Sequence, residues 1–443
     1  MPPPDRTPDS AAQRGGRLIR ALRHRNYRLF FTGQSISLVG TWVTRVATSW
    51  LVYRLTGSEL LLGVVGFFGQ IPTLLLTPLA GVVVDRGDKK RILLYTQILL
   101  LLQSTALAVL TLADLITVPQ IIVLQLLQGV ITAFDTPARQ SLVVEMVDDR
   151  NDLANAIALN SSMVNGSRII GPSIGGGIIA LVGEGWCFAV DALSYIAVVI
   201  SIAVLRFKAR PRIAAHPPML SDMRTGWRYV ADSVPIRSAL TQVAIVSTAG
   251  MPYTVLLPVI AAEKLHGGPN TLGLLMAASG VGALVGGLYL ASRETVVGLG
   301  RVILYGTLVF GTSLLAFSAT SNVWLAAVLL ALAGGGFIVQ LASTNTIIQT
   351  IVDESFRGRV MAFYTMAFFG TVPIGSLIAG VAANRLGAQA TVRVGALVCL
   401  ASGAWFAYKL PALRAVIRPI YIKRGIIQVP QPEVDTGPTP AAG

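Results

Sequence analysis

GVVVDRGDKKR, Gly81 to Arg91, separates two long apolar runs, Leu60 to Val84 before it and Ile92 to about Ala113 after it. Each run is long enough to cross about 30 Å of hydrocarbon, and two such segments can be joined only outside the bilayer, where a turn's backbone finds water. The loop is dense in cations, Arg86, Lys89, Lys90 and Arg91, which by the positive-inside rule places it in the cytoplasm. That rule does not ask for Asp85, so an acid at the head of a basic loop needs a reason of its own.

Working outward, the same pattern recurs along the chain. Of the 443 residues 53% are apolar and 13% charged, about half the charged share of a soluble domain, and mean hydropathy is +0.67. That composition defines an all-α membrane protein. Twelve apolar segments of about 20 residues can be marked. They cover 28–51, 60–84, 92–113, 119–141, 154–182 and 186–205, then 238–261, 271–291, 302–318, 323–347, 360–383 and 391–408. The expected organisation is a basic tail (1–27), a six-helix bundle (28–206), a linker (207–237), a second six-helix bundle (238–409) and a C-terminal tail (410–443). Asp148–Asp149 before Arg150, and Asp353–Glu354 before Arg357, each precede a segment rich in small residues, which suggests an internal repeat. In the linker, Leu220, Met223, Trp227, Val230 and Val234 recur at helical spacing. They predict an amphipathic helix lying either on the inner leaflet or against cytoplasmic loops.

Charge sets the orientation. With both ends inside, 29 of the 35 Lys and Arg fall in cytoplasmic segments and four in external loops (Arg54, Lys264, Arg385, Arg393), while Arg45 and Arg168 lie within spans. The net charge of +14 is explained by this topology and implies no nucleic-acid partner. The expected location is a bacterial inner membrane, crossed many times, with both termini cytoplasmic. Cys187 and Cys399 lie near apolar segments and read as small buried hydrophobes without a disulfide. His24, His216 and His266 fall in loops or tails, so no metal site and no cofactor is expected. The polar, Arg-rich start reads as a tail and not as a cleavable signal.

Gly81, Asp85, Arg86 and the basic residues Lys89 to Arg91 resemble the signature of the major facilitator superfamily between its second and third helices. Gly87 departs from it, standing one residue earlier than the family's second glycine. NGSRIIGPSIGGG, Asn165 to Gly177, resembles the family's antiporter motif, with Gly166, Arg168, Gly171, Pro172, Gly175 and Gly176 in place. Leu126–Leu127–Gln128–Gly129 resembles a further motif, but Gln125 stands where the family carries an arginine, so a proton-transfer role for that arginine is absent or moved. GTWVTRVATSWLVYRLTGS from Gly40 and FDTPARQS from Phe134 resemble the branch of bacterial siderophore exporters and drug-efflux proteins. The resemblance implies two pseudo-symmetric bundles meeting along spans 2, 5, 8 and 11. Their glycines would then form a smooth, kinkable seam: Gly63, Gly66 and Gly69; Gly171 to Gly177; Gly280, Gly282, Gly286 and Gly287; Gly370, Gly375 and Gly380. Ordinary close packing of small residues is the plainer reading of the same glycines.

Charged residues in a span cost about 2.5–3.5 kcal/mol each on insertion scales, so each needs a reason. Arg45, Asp135, Arg139, Arg168 and Asp191 are the candidates. At about 1.5 Å per residue, Arg168 and Asp191 sit at similar heights in the outer half, so a neutralising pair shared with Arg45 is expected, for structure or for function. Asp135, one turn from Arg139, is either a proton carrier or part of a cytoplasmic charge network with Asp85 and Lys89. Gln34, Ser37, Thr41, Thr44, Gln125, Gln128, Gln340, Ser343 and Asn345 are the polar residues that could line a cavity between the halves.

The expectation is a secondary active transporter, a proton-coupled exporter of a small amphipathic or lipophilic compound such as a drug or siderophore. It would act as a monomer with the substrate, protons and the bilayer as partners. An importer of a small solute, or a lysolipid flippase on the same fold, remains the alternative. An enzyme is not expected, since no catalytic or phosphate-cradling motif is present.

Overall fold

A computed structural model describes residues 20–147, 149–205 and 219–427, without the side chains of 150, 151 and 219–223. Asp148, most of the N-terminal tail, residues 206–218 at the start of the linker and the last 16 residues, with the expectations that fall on them, lie outside the described residues. The described residues are helical with no strand. After a short 3₁₀ turn come α1 (Arg25–Thr56), α2 (Glu59–Arg86), α3 (Lys89–Leu112), α4 (Val118–Glu145), α5 (Arg150–Val182) and α6 (Glu184–Val204). The linker helix is α7 (Met219–Asp232). The second set is α8 (Val234–Lys264), α9 (Pro269–Ala291), α10 (Leu299–Ala319), α11 (Val323–Ile351), α12 (Glu354–Leu386) and α13 (Ala388–Lys423).

Leaving out the linker helix, ten of the twelve are apolar enough to span a membrane by composition alone. The other two are α1 and α5, which carry Arg45 and Arg168 and rows of Ser, Thr, Asn and Gln among their apolar residues. Both pack on other helices, α1 on α5 and α6, and α5 also on α9. Polar helices can span when other helices, and not lipid, cover them.

The two sets of six pack alike. The α2–α4 contact corresponds to α9–α11, α3–α6 to α10–α13, and α1–α6 to α8–α13. The sets join along α2–α12 and α5–α9.

Helix ends follow local chemistry. Ser58 caps α2 by accepting from the Leu61 amide at 3.3 Å. Asp88 caps α3 by accepting from the Arg91 amide at 3.1 Å. Between these helices a Cβ on Gly87 would lie 2.6 Å from Ile92 Cδ1 and 2.9 Å from the Val83 carbonyl, which accounts for glycine at its departed position.

Two differences from the sequence expectation have physical causes. The C-terminal tail was expected from residue 410, but α13 continues through Pro411 and Pro419 to Lys423. Leu410, Leu413 and Tyr421 continue its buried face against Ile351 and Val352, and the Arg424 guanidinium donates to the Val352 carbonyl at 2.7 Å. Second, α8 and α12 contain π-helical turns at Val246–Gly250, Ile260–Lys264 and Met366–Gly370. The first of these lies just before Pro252, whose missing N–H removes one rung of the ladder. By contrast, α5 stays helical through Gly171–Pro172. The linker helix packs on the start of α12. Tyr229 stacks on Phe356 at 4.4 Å, Trp227 meets Phe363 at 5.7 Å, and the Tyr229 hydroxyl donates to Asp353 at 3.1 Å.

Candidate functional site

The glycines of α5 bring the interior charges together. Gly171 faces Trp42 of α1, and a Cβ on Gly175 would stand 3.2 Å from Val43 Cα, so α1 and α5 approach almost backbone to backbone. On α1, Trp42 and Arg45 are three residues apart and share a face. Arg45 Cζ lies 4.5 Å from the Trp42 ring centroid and Arg168 Cζ 5.6 Å from it. A Cβ on Gly280 of α9 would meet the Arg168 carbonyl at 3.0 Å, and Tyr253 of α8 lies within electrostatic reach of the same guanidinium. Tyr253 itself is oriented by a 2.9 Å hydrogen bond to Ser279. Helices of both bundles therefore converge on two arginines and one tryptophan. Arg45 is exposed, although Val43, Thr44, Val46 and Ala47 beside it are buried.

The expected Arg168–Asp191 pair is not formed. Asp191 faces α1 and α3, where its carboxylate accepts from Thr44 at 2.8 Å and Ser104 at 2.9 Å, with Ser194 at 3.4 Å. Gly40 leaves the room, since a Cβ there would stand 2.7 Å from Asp191 Oδ1. The reason is rotational. Height along the helices matches, but Arg168 projects to the Trp42 side of α1 and Asp191 lies against its Thr44 side. Among the described residues no carboxylate pairs with Arg45 or Arg168. A cation–π contact supplies about 0.5–2 kcal/mol, against about 2.5–3.5 kcal/mol per intramembrane charge. One shared ring does not balance two guanidiniums.

Asp135 is buried on α4. It accepts from Gln97 at 2.6 Å and Thr96 at 3.0 Å and lies 3.6 Å from Arg139. The expected network with Asp85 and Lys89 is absent. Lys89 instead pairs with Glu145 at 2.6 Å, and Lys90 donates to the Ala203 and Leu205 carbonyls at 3.0 and 2.7 Å. Glu145 sits at the end of α4, a position without any motif to mark it. Asp85 is exposed and makes no hydrogen bond or ion pair among the described residues, as does Arg86. Gly81 has nothing within 4 Å of a built Cβ, and neither has Gly166.

Of the expected cavity residues, Gln34, Ser37, Gln340 and Ser343 are buried between helices, and Thr44 is engaged by Asp191. Gln125 reaches Thr48 at 3.5 Å across α4 and α1. Thr41, Gln128 and Asn345 are half-buried, Thr41 lying 3.4 Å from the Tyr195 hydroxyl.

The seam has two distinct ends. Near the face opposite the termini the bundles touch: a Cβ on Gly63 would stand 2.8 Å from Gly380 Cα, and one on Gly176 would stand 3.2 Å from Gly273 Cα. At this face the Tyr53 hydroxyl also donates to Glu263 at 3.2 Å, linking α1 to α8. Arg54 and Glu184 pair at 2.7 Å within the first bundle. Toward the terminus-bearing face, Gly81, five turns along α2 from Gly63 and so on the same side of the helix, has nothing within 4 Å of a Cβ. Not every glycine of the seam spans lies in the seam. Gly282 and Gly286 pack on α11, Gly69 on Gln125 and Gly375 on Thr248, all within their own bundle.

A two-bundle helical membrane protein, closed at one face around an interior charged site, has the architecture of a secondary transporter. The family model of transmembrane secretion effectors matches residues 19–425, and the chain belongs to that family of the major facilitator superfamily. It is 26% identical over 369 residues to the staphyloferrin A transporter of Staphylococcus aureus, covering 83% of this chain and 92% of that one. It is 28% identical over 384 residues to the multidrug efflux pump Tap of Mycolicibacterium fortuitum, covering 85% and 93%. Among solved structures, a bacterial homologue of the human lysosomal transporter Spinster, inward-facing and unoccupied, is similar at a TM-score of 0.66 and 14% identity, covering 92% of this chain and 99% of that one. The protein is a multi-pass membrane transporter of small molecules and not an enzyme.

Proposed function

We propose that the protein is a proton-coupled exporter of a small amphipathic or lipophilic compound. It would act as a monomer in a bacterial inner membrane with both termini cytoplasmic. The asymmetry of the seam carries this reading: glycine-to-glycine contact at one face and open space beside Gly81 of α2 at the other. With the basic face inside, that is an inward-facing state, ready to load from the cytoplasm. The antiporter-type motif in α5 and the efflux relatives support export over import.

Asp191 is the better coupling acid. It is buried without a cation, and its partners are hydroxyls, which can donate to a carboxylate or accept from a carboxylic acid. Both protonation states can therefore be hydrogen-bonded, by rotation of a hydroxyl. Asp135 keeps a fixed cation in Arg139. Medium from cells with and without the protein, profiled for metabolites, should identify a compound depleted in its absence. In inverted vesicles with an imposed pH gradient, Asp191→Asn should abolish accumulation of that compound and retain exchange, while Asp135→Asn should accumulate it at a reduced rate. Gradient-driven accumulation by Asp191→Asn would remove Asp191 from coupling, and depletion from the medium of cells containing the protein would reverse the direction.

A further inference from the structure

We propose that Arg45 and Arg168, gathered on Trp42 between the two bundles, are the anion-recognition element of the substrate site, so that the exported compound carries carboxylate or phosphate oxygens. The proposal rests on the transport reading above and narrows its substrate class.

Four observations converge. Both guanidiniums lie over one ring, so two like charges are held close by the packing of α1 on α5 at Gly171 and Gly175. No carboxylate pairs with either among the described residues, and the one acid at their height, Asp191, is occupied by Thr44, Ser104 and Ser194. Arg45 is accessible while its helical neighbours are buried. The site draws on α1 and α5 from one bundle and lies beside Tyr253 from the other, the place where a bound compound would touch both halves. Guanidinium forks match planar or tetrahedral oxyanions bidentately, and their charge is not lost by deprotonation. The Trp42 and Tyr253 rings would accept a flat or apolar part adjoining the anion. A cationic or neutral compound would leave the two arginines uncompensated.

Anionic lipid headgroups share this chemistry, and the test separates them from a soluble compound. The full-length protein is reconstituted in phosphatidylcholine nanodiscs and titrated with citrate, salicylate and inorganic phosphate, reading tryptophan fluorescence and thermal melting. Saturable binding of at least one is expected. It should weaken at least about tenfold in Arg45→Gln and in Arg168→Gln, partly recover in Arg45→Lys, and stay unchanged in Arg301→Gln, an exposed position in α10. The methyl ester of a bound carboxylate should not compete with it. This competition needs no variant and decides the matter even if the glutamine variants fold poorly.

Equal binding by wild type and both glutamine variants, full competition by the ester, or no saturable binding of any probe would overturn the proposal. Arg45-dependent stabilisation by phosphatidylglycerol nanodiscs, without binding of a soluble anion, would overturn it in favour of a lipid. Export of a neutral or cationic compound unaffected by Arg45→Gln would sink the anion site and leave the exporter standing. Arg45-dependent anion binding without export would do the reverse.

Discussion

At the residue scale, chemistry was legible where it lay within one stretch of chain and hidden where it depended on rotation between helices. Arg45, Arg168, Asp135 and Asp191 stand out in the sequence because charge is rare in apolar runs. Their partners do not, because height follows from counting residues whereas the facing side of a helix is set by packing. Asp191 thus met Thr44 and Ser104 and not Arg168. The same blindness hid Glu145 as the partner of Lys89.

The start of α5 offers a test at this scale. Asp152 accepts from Arg20 at 2.8 Å and lies 3.2 Å from His24 Nε2. The hydrogen bonds from Arg20 and then from His24 hold its carboxyl below the usual range. A folded value below the unfolded one means that the contact stabilises fully above an unfolded carboxyl's pKa of about 3.9, and is lost as pH falls through the folded value. Hydrogen exchange over residues 20–27 should therefore stay slow from pH 7 to about pH 4. It should become several-fold faster at pH 7 in Asp152→Asn. Unchanged exchange in that variant would show that two other bonds hold the segment, the Ala21 amide to Asn155 Oδ1 at 2.9 Å and the Tyr27 hydroxyl to the Ala156 carbonyl at 2.8 Å.

At the element scale, the twelve apolar runs were legible because spanning length and hydropathy are local properties. The π turns of α8 and α12 and the extension of α13 were not, since each depends on what packs alongside. Glycines were half legible: the sequence marks them, but which ones face another helix is a matter of azimuth. Two glycines of α5 make the distinction measurable. A Cβ on Gly171 would press on Trp42 and stand 2.9 Å from the Val39 carbonyl, while one on Gly166 meets nothing within 4 Å. Overpacking costs about 1–3 kcal/mol, whereas Gly→Ala in an open helix position gains about 0.5–1 kcal/mol. Gly171→Ala should lower the melting temperature in detergent and Gly166→Ala should hold or raise it. Equal losses would mean that the α1–α5 approach is not as close as described.

At the scale of the whole molecule, the two sets of six are packed alike, and 29 of the 35 basic residues fall in segments expected on one side of the bilayer. Reporter fusions should place His266, between α8 and α9, outside and the C-terminal tail inside; a cytoplasmic His266 would invert the topology and with it the direction of transport.

Export from the inward-facing state proposed above requires the two bundles to rock as units about the glycine seam. Spin labels at Val83→Cys and Ala362→Cys report the terminus-bearing face, and labels at Leu55→Cys and Leu386→Cys the opposite one, all at exposed positions. Cys187 and Cys399 are buried and free, so they stay out of the labelling. Gly63→Val places a branched side chain where a Cβ alone would already stand 2.6 Å from the Ser376 carbonyl. This change should lengthen the distance across the opposite face and shorten the distance across the terminus-bearing face together. Lengthening on one side with no change on the other would contradict rocking as units.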